Sequence, residues 1–473
     1  MSTATLPPLP YDPEQVTCGV LHIGPGAFHR AHQLDYYNQA LTRAPHWGVH
    51  CVSLQSRDLA AQLKAQSYEY VLAILDNQPD FRRIGAIRVL ENVDQFLWVE
   101  PFHSADLHTV TLTITEKGYH LNSDGALDLA HPAVAADLAA LRVDPDTKSY
   151  APQTAVGLLF CGLMVRRAAE LRPPLIVSCD NLVENGKKLR DAVISFAAQI
   201  DAGIADWIAQ AVKFPSTMVD SITPAADDAL RQRVQIETGF ADQCPVQREA
   251  FTAWIIEDPG AHPIQELSHC GVVFTDNVAV HERAKLRVLN GSHSTLAYMG
   301  LAKGLTYVHQ AARDPVLGEI IERQIYDEVI PGLETTRGLD LHFYADAVLQ
   351  RFENPAIDHR LDQIAWDGSQ KIPVRLMGTI AENIAAGRGI DYLSYGVAAW
   401  LRFLHRSARD QINITDPISQ QLLEVAEPWT TAGSLVKGLA DLRVFAPAII
   451  ENEIFCKALA SAYQAVSALE AAP

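Results

Sequence analysis

Residues 19–29 read Gly19-Val20-Leu21-His22-Ile23-Gly24-Pro25-Gly26-Ala27-Phe28-His29. A short β-rich run, Gly19 to Ile23, ends in a Gly-Pro-Gly turn, and a helical stretch from about Ala27 to Thr42 follows. Two of the three glycines of a dinucleotide fingerprint are present. There they permit a tight turn and let the backbone approach a pyrophosphate at a helix N-terminus. The third position is His29. Gly24, Gly26 and Phe28 are therefore candidate cofactor contacts, on the strength of their strand, turn and helix context.

Outward from this turn, further β-rich runs alternate with helical stretches. Val49 to Leu54, Thr109 to Thr115 and Leu175 to Ser178 read as strands, with Phe251 to Glu257 and Val272 to Thr275 closing the half. Helices are expected over 154–171 and 187–212. Alternation of this kind predicts a parallel sheet with crossover helices. After about residue 276 apolar residues recur at helical spacing, and helices are expected near 281–312, 315–329, 373–386, 392–405 and 453–468. The expected fold is an α/β Rossmann-type N-terminal domain with an N-terminal arm, residues 1–276, and a mainly α-helical domain, residues 277–473, for substrate and catalysis.

The 473 residues carry a formal net charge of −18, and 48% are hydrophobic. Two cores are easily supplied, and the absence of any basic run argues against nucleic acid as a partner. The start, MSTATLPPLPYDPE, is neither basic nor apolar, and the longest apolar run, Ala155 to Val165, is too short to span a bilayer. A soluble, cytoplasmic protein with no membrane partner is expected, either a monomer or a small homo-oligomer. Seven dispersed cysteines without a CxxC pair give no zinc signature, and they read as reduced, mostly buried thiols.

Within the helical half, Lys285-Leu286-Arg287-Val288-Leu289-Asn290-Gly291-Ser292-His293 places three polar groups on one expected helix. At about 100° per residue, Lys285, His293 and Asn290 point at roughly 0°, 80° and 140°, and Glu282 at about 60°. Leu286, Leu289 and Leu296 lie within or beside the same arc. A lysine, an amide and an imidazole on a buried face supply a proton acceptor and hydrogen-bond donors to one oxygen, which is chemistry at an alcohol or a carbonyl. The alternative for Glu282 is an i to i+3 surface ion pair.

Loops at the carboxyl ends of strands complete the candidates, because ligands bind there in open α/β sheets. After the second strand stand Gln55-Ser56-Arg57-Asp58: Asp58 suits the ribose of NAD, Arg57 the extra phosphate of NADP, and the reading leans to NAD with NADP open. Thr115 and Glu116 begin a second loop, Thr115-Glu116-Lys117-Gly118-Tyr119, and Asn181 lies in a third, Ser178-Cys179-Asp180-Asn181.

GPGAFHRAHQ at 24–33, TITEKGY at 113–119, SCDN at 178–181, FPSTMVD at 214–220, KLRVLNGSH at 285–293 and DGSQK at 367–371 together resemble the mannitol dehydrogenase family of polyol-specific long-chain dehydrogenases. The resemblance implies a metal-free active site in a cleft between the two domains. By match to the family motifs, Lys285 is the general base, Asn181 and Asn290 the oxyanion pair, and His293 a group that orients the reacting hydroxyl. Glu282 matches a position associated with proton exit, and Asp220 and Lys371 match polyol contacts. A free lysine titrates near ~10.4 whereas a base wants roughly 7 to 8, a shift worth about 3 to 4 kcal/mol that burial can supply.

EKGY and DGSQK look more like the fructuronate reductase (D-mannonate oxidoreductase) branch, and Gln363 stands where mannitol dehydrogenases tend to have an arginine. A sugar acid needs a cation for its carboxylate, and Lys371, Arg375 and Lys117 are candidates. The expected reaction is D-mannonate with D-fructuronate, with D-mannitol and D-fructose as the second choice. A silent dinucleotide-binding sensor would need a broken catalytic set, and the set is intact.

Overall fold

The computed structural model describes residues 6–54, 57–76, 78–95, 97–143, 150–428 and 432–470. The chain divides into two compact units, Met1–Ala279 and Val280–Pro473. In the first unit β1 (Val20–Ile23), β2 (Val49–Ser53), β5 (Ile87–Asn92), β6 (Thr109–Leu112) and β7 (Leu175–Ser178) form one sheet in the order β5-β2-β1-β6-β7. Every pairing in it is parallel, with Val20 opposite Val49 on one side and Thr109 on the other. The strand order reverses at β1, so the Gly-Pro-Gly turn leaves the sheet at its topological switch point.

Parallel sheets are covered on both faces, and the side chains show it. Leu21, Ile23, Val110, Leu112 and Ile176 pack into one core, and Val20, Val49, Cys51, Leu175 and Val177 into the other. This two-residue period puts aliphatic groups on both faces, each fully buried one contributing roughly 1.5 to 3 kcal/mol. Two small sheets flank the main one. One has the order β4-β3-β9, built from β3 (Tyr70–Leu75), β4 (Asp80–Ile84) and β9 (Val246–Glu249). The other has the order β11-β10-β8, from β8 (Thr217–Asp220), β10 (Ala253–Glu257) and β11 (Val273–Thr275).

In the first unit two expected helices prove to be broken. The first runs Ala27–Ala31 and resumes as Gln33–Ala40, with His32 at φ −112° and ψ −82° between them. His32 Nε2 lies 3.1 Å from the Ala253 carbonyl oxygen and Arg30 donates to the Cys244 carbonyl, so tertiary bonds outweigh helix continuation here. The stretch expected over 187–212 is two helices, Asn185–Ala198 and Ala202–Ala211. Asp201 restarts the second by accepting a hydrogen bond from the Ile204 amide.

The second unit is helical. The helix Asp391–Arg409 buries Leu393, Val397, Trp400, Leu401 and Leu404 along one stripe, packed against the helices Ser292–Ala302 and Glu453–Glu470. Among the described residues three segments wind as π-helix: Lys285–Gly291, Gln324–Val329 and Pro373–Met377. Such segments are rare and frequently occur at functional sites. Among the described residues no helix is long and apolar enough to cross a membrane.

Candidate active site

At the end of β1, Gly24 adopts φ +87°, and a Cβ there would lie 2.4 Å from the Thr113 carbonyl oxygen. Only glycine fits. Thr113 Oγ1 donates to the Gly24 carbonyl at 2.7 Å, tying the turn to β6. Gly26 caps the Ala27–Ala31 helix, and a Cβ built on it would have its nearest neighbour at 3.9 Å, so the backbone there is open to close approach. This cradle fits a dinucleotide pyrophosphate. Phe28 is partly buried and stacks on His32, with ring centroids 5.0 Å apart. His29 occupies the third glycine position, fully buried and stacked at 3.2 Å on His22. Burial drives both imidazoles far below their ordinary range, so they are neutral packing groups.

After β2, Arg57 forms an ion pair with Asp94, and Asp58 opens the helix Asp58–Ala65. Gln55 and Ser56 lie outside the described residues. The Asp94 carboxylate would repel a phosphate brought to Arg57. Replacing Asp94 with Asn is therefore expected to raise kcat/KM for NADP relative to NAD by up to about fivefold, the reach of an exposed ion pair. Steady-state kinetics with both cofactors would show it, and an unchanged ratio would remove Arg57 from cofactor selection.

The loops beyond β6 and β7 are clamped by Asp180. Its carboxylate accepts hydrogen bonds from the amides of Ile114 (3.1 Å) and Thr115 (2.8 Å) and from the Tyr119 hydroxyl (2.7 Å). Burial pushes the Asp180 carboxyl above its usual range, against the pull of those donors. Thr115 is held at φ +63° and ψ +164°, a region that is nearly glycine-only and costs on the order of 1 to 3 kcal/mol. The clamp fixes an exposed Thr115 and Glu116 beside Asp180, and Asn181 is exposed on the bend that follows. Asn185 ties β7 to β8 through the Asp180 and Thr217 carbonyls, both at 3.0 Å, and Asp220 is buried as the last residue of β8.

The helix expected over 281–312 is three consecutive pieces, Val278–Ala284, the π-helical Lys285–Gly291 and Ser292–Ala302, followed after a break by a separate helix, Val308–Ala312. The wheel of 100° steps does not hold across the middle piece, because i to i+5 hydrogen bonding widens the turn. Lys285 and Asn290 are the first and the penultimate residues of that piece, both partly buried, as is Glu282 just before it. His293 is buried, stacked on Phe352 at 5.2 Å and met edge-on by His359 at 4.8 Å. Burial, then His359, Arg375, Arg351 and Lys371, drive its pKa well below 6.5. His293 is a neutral imidazole, and its Nε2 is buried without a protein hydrogen-bond partner.

Lys371 and Arg375 join His293 in this charge cluster. Lys371 Nζ donates to the Ile364 carbonyl at 3.3 Å, and burial together with Arg375 lowers its pKa. Arg375 Nη1 donates to Ser294 Oγ at 3.0 Å and to the Asn290 carbonyl at 3.4 Å. Gln363 is exposed on the short helix Leu361–Ile364, apart from these bonds, and Lys117 is exposed in the first unit. Sequence reading gave no role to Asp180, Asn185, Arg351 or His359. Asp180 directly precedes Asn181, which was its available signal; nothing local marks His359. Among the described residues no group of three or more His, Cys, Asp or Glu is placed to hold a metal ion.

Residues 18–266 match the mannitol dehydrogenase Rossmann domain and residues 277–467 the mannitol dehydrogenase C-terminal domain. The chain is similar to the D-mannonate oxidoreductase of Escherichia coli (strain K12), 32% identical over 96% of this chain and 94% of that protein. It is 34% identical to a mannitol 2-dehydrogenase of Phaeosphaeria nodorum, over 87% of this chain and 73% of that protein. The Pseudomonas fluorescens mannitol 2-dehydrogenase, solved as a ternary complex with NAD and D-mannitol, superposes with a TM-score of 0.78. It is 32% identical, and the match covers 100% of this chain and 96% of that one.

Proposed function

Because the chain belongs to the mannitol dehydrogenase family and is an oxidoreductase acting on a CH–OH group, we propose that it interconverts D-mannonate and D-fructuronate with NAD. In balance, mannonate and NAD⁺ give fructuronate, NADH and one proton. The observation that carries the sugar-acid reading is the partly buried Lys371 ammonium, close enough to the buried His293 to act on its charge, a cation that suits a substrate carboxylate. Lys371 is the lead partner for that group. Gly24, Gly26 and the backbone after β1 would hold the pyrophosphate, with Phe28, Asp58, Thr115 and Glu116 around the cofactor. Bound nicotinamide supplies the hydride acceptor.

Lys285, neutral before the step, takes the proton of the secondary hydroxyl as its carbon loses hydride. Asn290 and Asn181 donate to the oxygen as negative charge develops on it. His293 holds the reacting hydroxyl through a neutral ring, Glu282 passes the proton from Lys285 towards water, and Asp220 binds a further substrate hydroxyl. In the reverse direction Lys285, protonated, donates to the ketone.

The second reading, D-mannitol with D-fructose, is favoured by the 32% likeness to an enzyme solved with NAD and D-mannitol, equal to the likeness to the D-mannonate oxidoreductase. Turnover of mannonate, mannitol, arabinitol and sorbitol with NAD and NADP separates the two. Mannonate is expected to have the highest kcat/KM. Lys371→Met should then lower kcat/KM for mannonate by about 10- to 100-fold, as loss of a charged hydrogen bond does, and lower it far less for mannitol. Equal losses on both would assign Lys371 to a hydroxyl, and a preference for mannitol in the unaltered enzyme would overturn the sugar-acid reading.

A further inference from the structure

We propose that Arg375 is a positioning residue for the reaction, which holds the register of the π-helical segment and with it the Asn290 amide; this rests on the role proposed for Asn290. The carbonyl groups of residues 288–291 lie where the π-helical piece passes into the α-helical one. A change from i to i+5 to i to i+4 bonding disturbs the ladder at the junction, and displaced carbonyls need other donors. Side chains add donors to these carbonyls here, beside the Ser292 amide that donates to the Leu289 carbonyl. Ser292 Oγ donates to the Val288 carbonyl and, at 3.3 Å, to that of Leu289, while Thr295 Oγ1 donates to the Gly291 carbonyl at 3.3 Å. These three come from hydroxyls within the next turn. The Asn290 carbonyl receives Arg375 Nη1 at 3.4 Å, from a helix far along the chain.

The same Nη1 donates to Ser294 Oγ at 3.0 Å, so one guanidinium bridges the junction from the π-helical to the α-helical piece. Its own backbone is part of the arrangement. Arg375 lies in the π-helical segment Pro373–Met377, and its carbonyl oxygen lies 3.1 Å from where a Cβ on Gly291 would stand. The two segments therefore meet so closely that a methyl group at position 291 would crowd the Arg375 carbonyl. In the same π-helical segment as Asn290, Arg287 makes a two-pronged ion pair, at 2.7 and 2.5 Å, with Glu382 on the next helix, Gly378–Ala385. Lys285–Gly291 is thus pinned at both its middle and its end, and the pin at the end acts on the residue whose amide is proposed to meet the oxyanion. A guanidinium suits this task because its planar fork is pre-organised, so little side-chain freedom is lost per bond.

Displacement of a catalytic group by about 1 Å costs on the order of 100-fold in rate. Arg375→Met keeps the stem and removes the donors. It is expected to lower kcat by about 10- to 100-fold on mannonate and on mannitol alike. KM for NAD and the unfolding midpoint should stay near those of the unaltered enzyme. Arg375→Lys, which restores one donor and the charge, should recover part of the kcat. A rise in KM confined to mannonate would overturn the proposal and make Arg375 a carboxylate partner. Unchanged kcat in both variants would also overturn it, as would a kcat loss that only tracks a lowered midpoint in both. Turnover of the unaltered enzyme on the same substrates tests the dehydrogenase reading separately, so failure of that reading is distinguishable from failure of this one.

Discussion

Replacing Lys285 with Ala is expected to lower kcat by about 10²- to 10⁴-fold, the range that a positioned general base supplies, while NAD affinity stays within about twofold. Lys285 begins the π-helical segment, partly buried and just after Glu282. In the proposed reaction its amine is neutral in one direction and protonated in the other, and a methyl group can be neither. Lys285→Arg makes the test sharper. Arginine keeps the positive charge but does not release its proton, so it should be as inactive as Ala if Lys285 is a base. Retained activity in the arginine variant would mean that charge alone matters at this position. Retained activity in the alanine variant would remove Lys285 from the chemistry. Titrating NAD binding by fluorescence in both variants separates loss of chemistry from loss of cofactor.

The second large effect is expected at the glycine turn. Gly24→Ala must put a Cβ 2.4 Å from the Thr113 carbonyl oxygen at φ +87°, so the backbone has to shift. Left-handed strain of about 1 to 2 kcal/mol and overpacking of about 1 to 3 kcal/mol add to a stability loss of roughly 2 to 5 kcal/mol, with NAD binding lost as the turn moves. Gly26→Ala separates the two effects. Its Cβ would have no neighbour nearer than 3.9 Å and its φ is −70°, so folding should lose under about 1 kcal/mol, the cost of a poorer helix cap. NAD affinity should nevertheless fall by about tenfold or more, because the methyl group occupies the space where a pyrophosphate approaches the backbone. Denaturant unfolding and NAD titration of both variants measure this. A Gly26→Ala enzyme that binds NAD normally would show that this turn is not the cradle.

Much of the architecture was legible because its signals are local. β1 alternates sides so that Leu21 and Ile23 enter one core and Val20 the other, and that period is written in four residues. The turn after it announces itself through glycines that the backbone requires. Long-range pairing left weaker marks. β3 joins β9 in parallel, Leu72 opposite Val246, and the polar β4, Asp80–Ile84, pairs only because β3 presents an edge to it. Neither pairing has a local signature. The breaks at His32 and before Asp201 show the same division: Asp201 is a recognisable cap, whereas His32 turns because of a bond to Ala253.

The sequence by itself determined which chemistry is available: a glycine turn after a strand, and a lysine, an amide and an imidazole grouped over residues 285–293. Those are properties of side-chain type and short spacing, and the family motifs carry them. Only the tertiary structure decided the π-helical register of that group, the bond from Arg375 to the Asn290 carbonyl, the pairing of Arg57 with Asp94, and the neutrality of His293. Helix register at a junction depends on which donors reach the displaced carbonyls, and the charge state of an imidazole depends on desolvation and on cations packed around it. Both are set by residues distant in the chain, so no local window of sequence contains them.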